Sequence, residues 1–278
     1  MPELPEVETT KRYIKHFLLN SKIINIQTNT PKLRWKINPD INFFFNNTII
    51  LKVSRIGKYI LINTSNKSSL ILHLGMSGYL SIKEANYKKI KHDHVIINFE
   101  CLNGENKRLI FNDQRRFGYI DFQYTPSLKQ HFLIKKLGTD GLSKNLKFQL
   151  LNTIFQKKTI NIKNVLLDQK IISGIGNIYA SEILFYSKIH PLKKVNHLKK
   201  DEIKSLLLNI KIVLSNAVLD GGTTIKDYKQ PNGKVGYFKQ KLKVYGREKL
   251  KCYNCNSIIF KLNINKRATY TCPECQKN

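Results

Sequence analysis

The chain has 278 residues, 41% of them hydrophobic, material for one large core or two modest ones, and two domains is the better expectation at this length. Its 48 Lys and Arg against 19 Asp and Glu leave a formal net charge of +29, which suits a polyanion such as DNA, RNA or an acidic membrane surface, although abundant Asn and Ile beside Lys also mark A/T-rich coding. No apolar run approaches the roughly 20 residues of a membrane span, and an acidic start is unlike a secretory signal, so a cytoplasmic chain is expected.

The first eight residues, Met1-Pro2-Glu3-Leu4-Pro5-Glu6-Val7-Glu8, hold three of the 19 acidic side chains. One reading is a helix start, with Pro5 in the first turn and Glu6 and Glu8 facing the positive end of the helix dipole. The other is chemical and needs Met1 removed. Pro2 is then the amino terminus, and a terminal amine titrates near roughly 8, well below a lysine, so part of it is an uncharged nucleophile at neutral pH. As a secondary amine it condenses with an aldehyde carbon to a charged iminium, the electron sink of Schiff-base chemistry, and Glu3 stands beside it. Residues 11–20 continue the helix, with Tyr13, Ile14, Phe17 and Leu18 on one face.

Short β-branched segments follow, separated by Asn, Ser and Gly: residues 23–26, 48–53, 59–62, 70–72, 95–97 and 109–111. That spacing is of a β-sandwich or barrel, with Phe43-Phe44-Phe45 expected in its core. Three loops carry polar residues that a sandwich does not need. In Arg55-Ile56-Gly57-Lys58-Tyr59 the lysine is ordinarily a surface charge at a turn. In His73-Leu74-Gly75-Met76-Ser77-Gly78 the methionine is ordinarily a gap filler. The third is Asn112-Asp113-Gln114-Arg115-Arg116-Phe117-Gly118, and Lys91-His92-Asp93-His94 is a further polar cluster.

Residues 124–147, containing Pro126, Gly138 and Gly141, break the strand pattern. Beyond them the chain turns helical. Leu150, Leu151, Ile154 and Phe155 make one apolar face, Val165 to Leu167 follow, and a longer helix opened by Asp201 repeats from Ile203 to Val218 before Gly221-Gly222. Between these, Ser173-Gly174-Ile175-Gly176-Asn177 is a glycine turn feeding a helix start, whose free N–H groups form an anion site; alone, such a pair of glycines signifies only a tight turn. Cys252-x2-Cys255-x16-Cys272-x2-Cys275 has zinc-ribbon spacing, two knuckles closing a tetrahedron around one structural Zn2+ with no open position for catalysis. Disulfides are the alternative, disfavoured in a reducing compartment. Cys101 is left to pack.

The string from Met1 to Thr9, the turn before Asn177 and the four cysteines resemble the formamidopyrimidine-DNA glycosylases, the bacterial base-excision enzymes for oxidised purines, and the resemblance runs the whole chain. The related endonuclease VIII, which prefers oxidised pyrimidines, typically has glycine where this chain has Leu4. The resemblance implies an α+β multidomain fold. Its parts are an N-terminal β-sandwich catalytic domain with a flanking helix (1–133), a linker (134–147), a helix-two-turn-helix DNA-binding domain with a lesion-recognition loop (148–240) and a zinc-ribbon hairpin (241–278).

The same resemblance implies a monomer that grips damaged double-stranded DNA, releases 8-oxoguanine or formamidopyrimidines through a Schiff base on Pro2 with Glu3 moving a proton, and cuts the strand by β- and δ-elimination. Lys58 would assist the eliminations, its cation also lowering the Pro2 amine's pKa by like-charge repulsion, and Arg267, counted with the catalytic residues, would reach the phosphates near the lesion. Met76, Arg115 and Phe117 would fill the void left by the flipped base. His92, Lys158 and Asn177 would hold phosphates. Glu6, Thr223 and Thr224 would meet the lesion, the two threonines within the stretch from Gly221 to Tyr237 that matches the loop closing over it. The only bound group would be the structural Zn2+, with neither catalytic metal nor organic cofactor. Gln114 and Val235 each replace a commoner proline. The rival readings are endonuclease VIII and a noncatalytic damaged-DNA-binding protein with no use for Pro2-Glu3.

Overall fold

The structure, a computed structural model, describes residues 1–223 and 237–277. The chain divides into two compact units, Met1–Lys135 with Asp220–Tyr237, and Lys136–Leu219 with Phe238–Asn278. In the first, helix α1 (Leu4–Leu18) starts at a reciprocal capping box, in which the Glu3 N–H donates to Glu6 Oε2 at 2.8 Å and the Glu6 N–H is taken by the Glu3 side chain. Val7, Ile14 and Leu18 then recur at helical spacing and enter the core.

Strands β1 (Lys22–Thr28), β2 (Ile50–Ile56), β3 (Tyr59–Thr64), β4 (Ser68–His73), β5 (Tyr79–Glu84), β6 (Asp93–Glu100), β7 (Asn106–Asn112) and β8 (Tyr119–Tyr124) form two antiparallel four-stranded sheets, ordered β1-β6-β7-β5 and β2-β3-β4-β8. Apolar residues fall in rows across each sheet: Ile62, Leu70 and Phe122, then Ile60, Leu72 and Ile120, in one; Ile97, Leu109 and Ile82, then Val95, Phe111 and Leu80, in the other. All of these rows join one core with α1, which makes the sandwich. A one-residue slip of any strand would carry its row to the other face of the sheet, away from this core.

The Phe43-Phe44-Phe45 run departs from expectation. It lies in a short helix α2 (Ile41–Phe45), where consecutive side chains point about 100° apart and cannot all face the core. Ile41 and Phe45 are buried, whereas Phe43 is 82% exposed and Phe44 41%. Strands β5 and β8 escaped the sequence reading because they alternate with Ser81, Lys83, Asp121 and Gln123 and so contain no apolar run.

The second unit contains, in chain order, β9 (Thr139–Asp140), α3 (Phe148–Gln156), α4 (Ile162–Leu167), β10 (Ile172–Ser173), α5 (Asn177–Tyr186), α6 (Lys200–Leu219) and the hairpin β11 (Phe260–Ile264) and β12 (Arg267–Thr271). The short β9 and β10 pair in parallel. Helix α5 is apolar all round and buried from Ile178 to Phe185, packed against α4, α6 and β12. Helix α6 presents Ile203, Leu206, Ile210, Val213, Leu214 and Ala217 to the interior, and the chain leaves it through Gly221 and Gly222, both at positive φ. No helix among the described residues is long and apolar enough to cross a membrane.

Candidate active site and nucleic-acid interface

The acidic start of the chain ties distant segments of the first unit to helix α1. Pro2 is buried behind Met1 and Glu3 is 2% exposed. Glu6 bridges two segments far apart in sequence: Oε2 takes the Glu3 N–H, and Oε1 takes the Thr223 N–H at 2.7 Å. The approach is close enough that a Cβ on Gly222, at φ +79°, would lie 2.8 Å from Glu6 Oε1. The structure therefore brings Pro2, Glu3, Glu6 and Thr223 together, while Thr224 and Val235 lie outside the described residues.

Glu8 anchors the turn that carries Lys58. Its carboxylate meets Lys11, Arg12 and Arg55, at 2.8, 2.9 and 2.9 Å, and Arg55 also donates to the Gly57 carbonyl. Burial alone would raise the Glu8 pKa, but the bonded Lys11 and Arg55 hold it below the usual value. Lys58 itself is only 6% exposed, so it is no ordinary surface charge. The sequence placed Glu8 at the helix dipole and Arg55 in the loop before Lys58, with nothing to say that the two would pair.

A cleft of about 600 Å3 in the same unit is lined by Met1, Arg34, His73, Met76, Arg115 and Phe117, among others. Arg115 lies over the Phe117 ring at 4.9 Å, and both are exposed. His73, which motif reading passed over, pairs with Tyr59 across β3 and β4. Burial, then the charges of Lys58 and Arg34, pull its pKa down to about 3. Its Nδ1 accepts the Gly75 N–H at 3.0 Å, so the imidazole is neutral with its proton on Nε2. The folded site refuses a proton that the unfolded chain accepts, so stability is full above roughly pH 6.5 and drains away as pH falls toward 3. His73→Asn, which keeps an acceptor for Gly75 but cannot titrate, is expected to flatten that part of the profile in urea titrations between pH 7 and pH 4. A slope identical to the wild type would contradict the assignment.

His92 sits at φ +73°, half-buried, and its carbonyl accepts the Asp113 N–H. Asn112 Nδ2 donates to the Lys91 carbonyl and to Asp93, tying this segment to the Arg115 loop.

In the second unit Lys158 is half-buried just beyond the end of α3. Asn177 is the first residue of α5, where the leading N–H groups lack helical partners. Its Nδ2 donates to the Ala268 carbonyl on the hairpin at 2.8 Å, and its buried Oδ1 has no partner among the described residues. Arg267 stands exposed at the hairpin tip and borders an open depression with Asn164 and Asp168. Two buried charges had no sequence signal. Lys163 donates to Ser181 Oγ at 2.8 Å. Glu182 accepts the N–H groups of Lys243, Val244 and Tyr245, so that burial raises its pKa while those donors oppose the rise. The Glu182 contacts fasten the segment leading into the hairpin against α5.

Cys252, Cys255, Cys272 and Cys275 are free thiols whose Sγ atoms all lie within 4.8 Å of one another, with Cys255 and Cys272 at 3.3 Å and Cys252 and Cys275 at 3.9 Å. Tetrahedral metal–sulfur bonds of about 2.3 Å put sulfurs about 3.8 Å apart, so this set fits one metal ion. Hydrogen bonds from Ser257 pull the Cys255 thiol down to about 6, whereas burial pushes Cys272 and Cys275 up. Gln276 closes the second knuckle: Oε1 accepts the Thr271 hydroxyl and the Cys272 N–H, and Nε2 donates to the Ile189 carbonyl. Cys101 packs against the sandwich core.

Residues 1–120 match the family described as formamidopyrimidine-DNA glycosylase N-terminal domain, and residues 137–229 the family described as formamidopyrimidine-DNA glycosylase H2TH domain. The formamidopyrimidine-DNA glycosylase of Rickettsia felis is 45% identical over 99% of this chain and 98% of its own length; that of Rickettsia conorii is 46% identical over 99% of each. Among solved structures, Lactococcus lactis Fpg bound to DNA containing an abasic site superposes with a TM-score of 0.91 at 32% identity, covering 99% of this chain and 100% of that one. The same Lactococcus protein with DNA containing an oxidised pyrimidine gives 0.90 at 32% identity, covering 100% of both.

Proposed function

Because the chain belongs to the formamidopyrimidine-DNA glycosylase family, we propose that this DNA glycosylase excises oxidised purines through a Schiff base on Pro2 and then cuts the strand by β- and δ-elimination. The observation that carries this reading is the position of Pro2 and Glu3 at the buried start of α1, in the unit whose cleft is edged by Met1, Met76, Arg115 and Phe117. With Met1 removed, the Pro2 nitrogen attacks the sugar C1′. The bond from C1′ to the base breaks, the base leaves with that electron pair, and Glu3 supplies a proton. The nitrogen lone pair then breaks the C1′–O4′ bond, O4′ takes a proton as the sugar ring opens, and the iminium so formed acidifies C2′, whose proton is lost as the 3′ phosphate departs; a second elimination expels the 5′ phosphate. Lys58 assists these eliminations as a proton donor, and the Arg267 guanidinium, which stays charged, holds the phosphates beside the lesion.

Met76, Arg115 and Phe117 occupy the place of the extruded nucleotide, an apolar pair with a guanidinium stacked on it. His92, Lys158 and Asn177 hold backbone phosphates, contacts that position the duplex without reading its sequence. Glu6 with Thr223 and Thr224 receives the flipped base. The four cysteines hold one Zn2+, which braces the hairpin that presents Arg267. Leu4 favours the purine class; the Lactococcus complex with an oxidised pyrimidine keeps the second class in view.

The test is borohydride trapping on duplexes carrying 8-oxoguanine opposite cytosine or an oxidised pyrimidine, using the wild type and Pro2→Gly, with intact-mass confirmation that Met1 is gone. A covalent adduct formed faster on the purine duplex, and lost in the variant, is expected. Faster trapping on the pyrimidine would move the assignment to that class, and no adduct on either would overturn the mechanism.

A further inference from the structure

The two loops that carry Met76 and the Arg115–Phe117 pair are joined by two buried side chains that the chemistry above does not use. Ser77 is 7% exposed and Asp113 fully buried, so neither reaches a nucleic acid. Ser77 Oγ donates to Asp113 Oδ1 at 2.6 Å and accepts the Arg115 N–H at 3.1 Å, and Asp113 Oδ2 accepts the Gly118 N–H at 2.6 Å. The Asp113 backbone is fixed in turn, its N–H donating to the His92 carbonyl at 3.1 Å and its carbonyl accepting from His94 Nε2 at 2.9 Å. Every side-chain oxygen of the pair thus serves a loop atom.

The loops also touch backbone to backbone. A Cβ on Gly75, at φ +66°, would fall 2.4 Å from the Phe117 carbonyl carbon, and one on Gly118 would fall 2.9 Å from Asp113 Oδ2. Arg116 is held at φ +56°, a left-handed conformation that a non-glycine residue keeps only when its surroundings enforce it. We infer that Ser77 and Asp113 are positioning residues that clamp Met76, Arg115 and Phe117 into one preassembled wedge, so the three side chains enter the duplex as a unit rather than loop by loop. This rests on the void-filling role given to those three residues. The gain is preorganisation: the ordering of two loops is completed at folding and not repeated at each encounter with DNA.

The test places Asp113→Asn and Ser77→Ala in the wild type and in a Met76→Ala, Arg115→Ala, Phe117→Ala background. Single-turnover release of 8-oxoguanine is measured, together with the fluorescence of 2-aminopurine placed opposite the lesion and the melting temperature. Each change is expected to slow the wild-type enzyme by at least about tenfold, the scale of misplacing a group by a fraction of an ångström, and to erase the insertion signal. In the triple-alanine background neither should cost more than about twofold, because there is no wedge left to align. Equal losses in both backgrounds would overturn the clamp and leave the pair as ordinary core. If the triple-alanine protein releases the base as fast as the wild type, the wedge reading falls and the clamp with it. Should Asp113→Asn fail to fold, Ser77→Ala, which removes a single hydroxyl, decides the matter alone.

Discussion

Glu3→Gln is expected to slow release of 8-oxoguanine from duplex DNA by a factor on the order of a hundred to ten thousand, the range a positioned proton donor supplies, while cleavage at a preformed abasic site falls by less than about tenfold. The geometry makes the substitution clean. Glu3 caps α1 through its side-chain oxygen and its N–H, and glutamine retains both. The cap therefore survives, with a stability loss of at most about 1 kcal/mol, and what disappears is the ionisable proton. A base leaving as an anion needs that proton; an abasic sugar has no base to release. Paired single-turnover assays on the two substrates, with melting temperatures as a folding control, measure the ratio. Equal losses on both would assign Glu3 to the iminium steps instead.

The second large effect is expected at the metal site. Cys272 is fully buried, and Cys272→Ser removes one of four converging sulfurs from a module whose own apolar core is little more than Phe185, Val244 and Ile259. Structural zinc contributes folding energy outright in modules of this size. Metal analysis should find one zinc per wild-type chain and none in the variant. Without it the β11–β12 hairpin loses its shape, and with it the Ala268 carbonyl that orients Asn177. Duplex binding should weaken at least about tenfold at physiological salt, and the dependence of log K on log salt should flatten by about 1 to 2 as hairpin phosphate contacts vanish. The sandwich, with its separate core, keeps its strand signal in circular dichroism. Zinc loss with unchanged binding would remove the hairpin from the interface.

What could be read from the sequence was whatever is written locally. The cysteine spacing announced four sulfurs converging on one point, and the apolar runs at residues 59–62 and 70–72 announced two neighbouring strands. Glu6 shows the limit. A carboxylate in a first turn is explained by the dipole, and nothing near it announces that its second oxygen belongs to Thr223, 217 positions later. Without the family resemblance Lys58 would have been hidden by the opposite problem, since a lysine in a hairpin turn looks solvated until Glu8 and Arg55 pull that turn onto α1. Phe43 and Phe44 misled because composition was read where periodicity decided.

Gln276 has a practical corollary for anyone preparing the protein. Its amide is bonded at both ends, to the second knuckle and to the Ile189 carbonyl, so a purification handle on the carboxyl side must begin beyond it and start with a flexible spacer. At the other end the proposed Schiff base on Pro2 requires that a protease later expose Pro2 as the first residue, because any leftover residue would convert its amine into an amide. An inactive preparation with a native melting curve should therefore first be examined for what remains attached to its ends.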